Sequence, residues 1–306
     1  MIGVADDLHG EAERLRAERR AFVTATVVRA DRPTSAKPGD TALVLDDGTV
    51  VGFVGGDCAR TSVQVQALAA LETGEPVLLR ISPDAPDSGE IARDAQSGAI
   101  TVHNPCLSGG ALEIFLEPSI PPALVVVHGD APIARAIREL AAWLGLDARQ
   151  WDEEVPPDTA EVVVASHGGD EHRVIEAALR SEVPYIALVA SRRRGAAVLD
   201  GLGLGDDERG RIRTPAGIDI GSRTPRETAL AVLAELISVR PRPRRRLPSS
   251  DVTPDDAPVA VDPVCGMSVA AVASSRHADH DGRRFWFCGS GCEDAFRADP
   301  GRFAAR

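Results

Sequence analysis

Between residues 121 and 240 the chain alternates short apolar runs with amphipathic stretches, a pattern that few folds accept. Residues 123–127 (Ala-Leu-Val-Val-Val) read as a buried strand, 133–144 as a helix and 148–151 as a short strand. Residues 161–165, 171–180 and 185–190 then read strand, helix, strand; a helix begins at 192–199 and another closes the region at 225–238. A strand with no polar positions has no face to give to water, so helices must cover both of its faces. The alternation predicts a parallel, Rossmann-like α/β sheet.

Residues 1–120 read as α+β instead. A charged helix spans 5–20, and a β-branched strand spans 22–28. Residues 32–40 form a loop carrying Pro33, Pro38 and Gly39. Strands at 41–45 and 50–54 flank Asp46-Asp47-Gly48, a hairpin turn with glycine where positive φ is cheap. Gly55-Gly56-Asp57-Cys58 leads into a helix over 59–72 that stops at Gly74. A strand follows at 77–81, the Pro-, Gly- and Asp-rich stretch 82–98 reads as a loop, and the turn 104–110 precedes a strand at 111–117.

The domain boundaries expected from these shifts are 1–120, 121–240, a linker over 241–258, and 259–306. The stretch 240–258 holds five Arg within 240–246 and five Pro, and is too polar to bury a core. Residues 259–306 concentrate three of the chain's five Cys, two of its seven His and four of its seven Phe, which marks a small separate module on a tether. A module this small is marginal without a staple such as a metal. Cys265 and Cys288 are separated by 22 residues, and Cys288 and Cys292 by three, so the third thiol lies one helical turn beyond the second. Three converging thiolates suit Zn²⁺, Cu(I) or an iron species. His277 and His280 are the candidates for a fourth ligand. The metal either holds the module together or is sensed and delivered; the spacing favours neither.

The 306 residues carry 34 basic and 46 acidic groups, a net charge of −12, which argues against a nucleic-acid partner. No apolar run approaches the roughly 20 residues that cross a bilayer. The opening Met1-Ile2-Gly3-Val4-Ala5-Asp6-Asp7 has no signal-peptide character, so a cytoplasmic location is expected.

Cys58 follows a Gly-Gly turn at a helix start, where backbone N–H groups favour a thiolate or an anion. Gly55 and Gly56 let a ligand approach the backbone. The plainer reading is a small buried cysteine capped by Asp57. In the alternating region, Gly129-Asp130-Ala131-Pro132-Ile133-Ala134 is a degenerate dinucleotide fingerprint. Its Ala131 adds a Cβ where a pyrophosphate should approach, so NAD(P) is only weakly indicated. His128 and His167 end strands on the carboxyl edge, where open α/β sheets bind ligands.

The apolar strand before 29–39, the hairpin at 46–48 and Gly55-Gly56 with Cys58 resemble the first domain of the XdhC/CoxI family. Residues 124–127 into Gly129, then Ser166-His167, Pro184-Tyr185-Ile186, Ser191-Arg192 and Pro215-Ala216-Gly217-Ile218-Asp219-Ile220-Gly221 with Thr224-Pro225 resemble its Rossmann-like domain. Residues 262–267 and 285–292, with Phe296, Asp299-Pro300 and Phe303, resemble a YHS domain related to the TRASH modules; Ala278-Asp279-His280 stands near the place of the naming tripeptide. The resemblance implies a maturation factor for xanthine dehydrogenase- or carbon monoxide dehydrogenase-type enzymes. Such a factor binds molybdenum cofactor (molybdopterin), protects it while its sulfido ligand is installed, and inserts it. It implies as partners the molybdenum hydroxylase apoenzyme and a cysteine desulfurase. Cys58 and Cys106 are then candidates for the molybdenum or sulfur contact, with Gly55, Gly56, Gly129 and His167 also on the cofactor. A homodimer is expected on base rates. The rival readings are an NAD(P)-dependent oxidoreductase and a metal-responsive binding protein.

Overall fold

The computed structural model of the chain describes residues 3–83, 92–94, 98–103, 110–166, 168–240 and 259–304. It divides into two compact units, Pro122–Pro241 and the remainder of the chain on either side of it.

The first unit opens with α1 (Gly3–Ala17), β1 (Phe22–Asp31), β2 (Thr41–Leu45), β3 (Val50–Gly52), α2 (Asp57–Thr73) and β4 (Val77–Ser82), followed by β5 (Ala92–Arg93), β6 (Ile100–His103) and β7 (Ala111–Ser119). The strands form one seven-stranded sheet in the order β3-β2-β1-β7-β4-β6-β5. Strand alternation splits its side chains. Val23, Ala25, Ala42 and Val44 pack with Ala59, Val63, Ala67 and Ala70 of α2 on one face, whereas Phe22, Leu43 and Leu45 meet Ala12 and Leu15 of α1 on the other. The strands β5 and β6 fall in and after the stretch read from sequence as a loop.

The second unit contains β8 (Leu124–His128), α3 (Pro132–Trp143), β9 (Asp147–Gln150), β10 (Thr159–Val164), α4 (Glu171–Arg180), β11 (Tyr185–Leu188), α5 (Arg192–Leu202), α6 (Asp206–Gly210), β12 (Ile212–Arg213) and α7 (Pro225–Val239). Its five strands are all parallel and run in the order β12-β11-β10-β8-β9. Counted within the unit this is the doubly wound order 2-1-3-4-5, whose ligand crevice lies where the first and third strands part. Here those strands are β8 and β10. Helices α3 and α7 cover one face, and α4 and α5 the other. The stretch 215–221 is pinned to the body: Glu235 Oε2 accepts from the Tyr185 hydroxyl at 2.8 Å and from Gly217 N–H at 2.7 Å. A reciprocal Thr224–Glu227 cap then starts α7.

The C-terminal module belongs to the first unit. It pairs β13 (Val259–Val261) with β14 (Ser268–Ala270), and β15 (Arg276–His280) with β16 (Arg283–Phe287), and ends in α8 (Ser290–Ala298) and α9 (Pro300–Phe303). Phe285, Phe287, Phe296 and Ala278 form its small core. The sequence suggests a module free on its tether; the structure seats it on α2. Thr61 Oγ1 donates to Cys288 O at 2.9 Å. Gln64 Nε2 donates to Gly48 O at 2.7 Å and to Ser274 Oγ at 3.3 Å, and Gln64 Oε1 accepts from Ser275 Oγ at 3.3 Å. Helix α2 is therefore covered on two sides, by sheet on its apolar face and by the module on its polar one.

Candidate functional site

The turn before α2 is built from two glycines with different needs. Gly55 has φ +133°, and a Cβ there would sit 3.0 Å from Ala59 Cβ and 3.3 Å from Leu112 Cδ1. Gly56 caps the helix with φ −68° and faces open space. The chain thus bends tightly at Gly55 and presents Cys58 in the first turn of α2. The thiol is half-buried, and it packs against Met267, Val269 and Cys288 of the C-terminal module.

That module gathers Asp262, Cys265, Cys288 and Cys292, whose ligand atoms all lie within 4.8 Å of one another. Cys265 lies within the tight turn that starts at Asp262, with Gly266 N–H donating to Asp262 O at 2.8 Å. Cys288 ends the hairpin, and Cys292 lies in the first turn of α8. The Cys265–Cys288 sulfurs are 3.5 Å apart and the Cys288–Cys292 sulfurs 3.7 Å. A tetrahedral centre with metal–sulfur bonds of about 2.3 Å has sulfur–sulfur edges of about 3.8 Å, so the donor set fits a thiophilic cation such as Zn²⁺. When bound, such an ion would cross-link the module and hold its thiols deprotonated.

Electrostatics set the thiols of the cluster against one another. Its hydrogen bond with Cys288 holds the Cys265 thiol below the ordinary value. Hydrogen bonds with Cys265 and Cys58, together with burial, push Cys288 up. Burial and the neighbouring Asp262 charge push Cys292 up to about 12. One thiolate keeps protons on its neighbours, and a central cation reverses that order.

His277 and His280, the fourth-ligand candidates from sequence, lie outside this cluster. His277 Nδ1 pairs with Ser275 O at 2.9 Å and its ring tilts against Trp286. The His280 ring meets Phe296 edge-on, with its Nε2 3.5 Å from Asp281. The two are three residues apart on one strand, so they leave opposite faces and cannot converge. Asp262 is the residue that sequence reasoning missed. It is fully buried, and its two oxygens accept from Val264 N–H at 2.9 Å and Cys288 N–H at 2.8 Å. Its place just before Pro263-Val264-Cys265 was the available signal.

In the second unit, Gly129 lies where β8 and β10 part. It has φ +112°, and an added Cβ would fall 2.5 Å from Ala165 O. The glycine is thus demanded by backbone packing, with or without a ligand. The turn suits a pyrophosphate poorly: Pro132 supplies no N–H at the first position of α3, and Asp130 sets an exposed carboxylate beside it. His128 is engaged as a strut, its Nε2 2.8 Å from Gly169 O and its ring edge-on to Trp151. Arg194 braces the same edge by donating to Ser166 O and to the buried Glu171, which also accepts from Ser166 Oγ at 2.9 Å. Cys106 and His167 lie outside the described residues.

Among the described residues no helix is long and apolar enough to cross a membrane. Comparison with known proteins then supplies relatives. Residues 15–82 match the XdhC and CoxI family, residues 125–236 the XdhC Rossmann domain, and residues 260–306 the YHS domain. The chain is similar to the uncharacterized protein YqeB of Escherichia coli (strain K12), at 28% identity over 261 residues, covering 75% of this chain and 46% of YqeB. It thus spans less than half of that relative's length. It is also similar to the molybdenum cofactor insertion chaperone PaoD of the same strain, at 25% identity over 256 residues, covering 68% of this chain and 80% of PaoD. A solved chain described as a xanthine dehydrogenase from Bacillus halodurans aligns over 78% of this chain and 97% of its own, with 16% identity and a TM-score of 0.35. Matches to the XdhC and CoxI family, the XdhC Rossmann domain and the YHS domain thus follow one another along the chain.

Proposed function

We propose that the chain is a molybdenum cofactor insertion chaperone serving a molybdenum hydroxylase of the xanthine dehydrogenase or carbon monoxide dehydrogenase type. The observation that carries this reading is the pairing of both XdhC domain types in one chain whose similarity to PaoD extends over 80% of that chaperone. The chain acts as a carrier rather than a catalyst. Its cargo is the molybdenum cofactor, its client the hydroxylase apoenzyme, and a cysteine desulfurase supplies the sulfur of the terminal sulfido ligand. It works in the cytoplasm as a homodimer.

The residues assigned to the cargo are Gly55, Gly56, Cys58 and Cys106 of the first domain, and Gly129 and His167 of the second. The physical support is local. A bend at Gly55 carries a thiol to a helix start, where N–H groups favour an anionic sulfur. The parting of β8 and β10 is where a doubly wound sheet accepts a ligand.

The test is client activation. The hydroxylase of the source organism is produced in a host that makes the cofactor, with and without this chain. The expected result is equal hydroxylase protein in both, with bound cofactor and turnover high only when the chain is present. Equal cofactor content in the two preparations overturns the reading.

A further inference from the structure

The three sulfurs of the C-terminal module need a fourth donor, and the structure offers two. Asp262 is within reach, but each of its oxygens already accepts a backbone N–H, at 2.9 Å from Val264 and 2.8 Å from Cys288. A cation held by three thiolates prefers a further soft or borderline ligand to a carboxylate. The second donor is Cys58, from the other domain of the same unit. Its side chain packs against Cys288, Met267 and Val269 of the module.

The docking of α2 is built to hold it there. Thr61, one turn along α2 from Cys58, donates to the carbonyl of Cys288 itself. Gln64, a further turn along, ties Ser274 and Ser275 of the module to the helix. At Gly289 an added Cβ would come 3.2 Å from Asp57 Cβ, so the loop between Cys288 and α8 lies directly on the start of α2. Two helix starts, at Asp57 and Ser290, each carry a cysteine of the group in their first turn. Their N–H groups offset the negative charge that four thiolates bring around a divalent cation.

We propose that Cys58, which packs against Cys288, joins Cys265, Cys288 and Cys292 of the module's cluster as the fourth sulfur of a site for a thiophilic cation, completed only when the C-terminal module is seated on α2. The ion is then a clasp between two domains, and it covers the Cys58 sulfur while it is bound. This inference stands on the cysteine geometry and holds whatever the cargo is.

The experiment uses the reduced, chelator-stripped full chain and Co²⁺ as the probe. Wild type is expected to bind about one equivalent with the intense sulfur-to-metal absorption of a tetrahedral thiolate centre. In Cys58→Ser that absorption falls by about a quarter, as four thiolates become three. Zn²⁺ affinity, read by chelator competition, falls by at least about 100-fold, the upper end of what losing even an outer-shell partner costs. Far-UV circular dichroism checks that the variant folds. A second measurement needs no change at Cys58: in wild type, Zn²⁺ protects Cys58 from iodoacetamide, read by peptide mass, and in Cys265→Ser/Cys292→Ser that protection is lost. A wild-type Co²⁺ spectrum and affinity in Cys58→Ser, or alkylation of Cys58 at the same rate with and without Zn²⁺, overturns the proposal.

Discussion

Asp262→Ala is expected to unfold the C-terminal module while leaving the Pro122–Pro241 unit intact. Asp262 is fully buried. Its side chain takes the Val264 and Cys288 N–H groups, and its own N–H and C=O close the turn with Met267 and Gly266 at 2.8 Å each. Alanine keeps the backbone bonds and strands two donors. Hydrogen bonds to a charged acceptor contribute about 1.5–3 kcal/mol each, so the loss is about 3–6 kcal/mol. A core of this size rarely supplies more than about 3–5 kcal/mol. Hydrogen exchange is the readout: amides of residues 259–304 should exchange at unfolded rates, with those of Pro122–Pro241 unchanged. Wild-type protection in the module contradicts this account of Asp262.

The second large effect is Gly129→Ala. The residue needs positive φ, which costs an L-residue about 1–2 kcal/mol. The new methyl also meets Ala165 O at 2.5 Å and Ala165 C at 2.9 Å, backbone atoms of the strand end that cannot swing aside. Overpacking adds roughly 1–3 kcal/mol, for a combined loss of about 3 kcal/mol. The urea midpoint of the second unit should fall accordingly in protein carrying no ligand. A glycine kept only for cofactor approach would behave differently: stability would stay within about 0.5 kcal/mol, as for neutral surface changes, and only cargo binding would drop.

The second unit was the most legible part of the chain because parallel strands leave continuous apolar runs such as Val125-Val126-Val127. The three C-terminal thiols were legible for a similar reason, since a strand end and one helical turn fix their spacing locally. What connects distant segments was not. Thr61 and Gln64 look like solvated positions on a helix, yet they are buried beneath residues more than 200 positions away. No local pattern encodes that pairing, so the meeting of Cys58 with Cys288 was invisible. The histidines misled by residue type, because the strand period that separates His277 from His280 outweighs their chemistry. That Gly129 must be glycine because the Ala165 backbone lies against it was not legible either. Strand β6 was missed because its four residues sit among turn-forming neighbours.

The function proposed above requires this chain to carry molybdenum cofactor. The most direct measurement is the pterin and molybdenum content of the chain as purified from a host that makes the cofactor, with the pterin released and oxidised to its fluorescent form. Pterin and molybdenum are expected together, near one per chain, and neither from a host blocked in cofactor synthesis. Protein that emerges from the competent host without pterin contradicts it, whatever metal its cysteines hold.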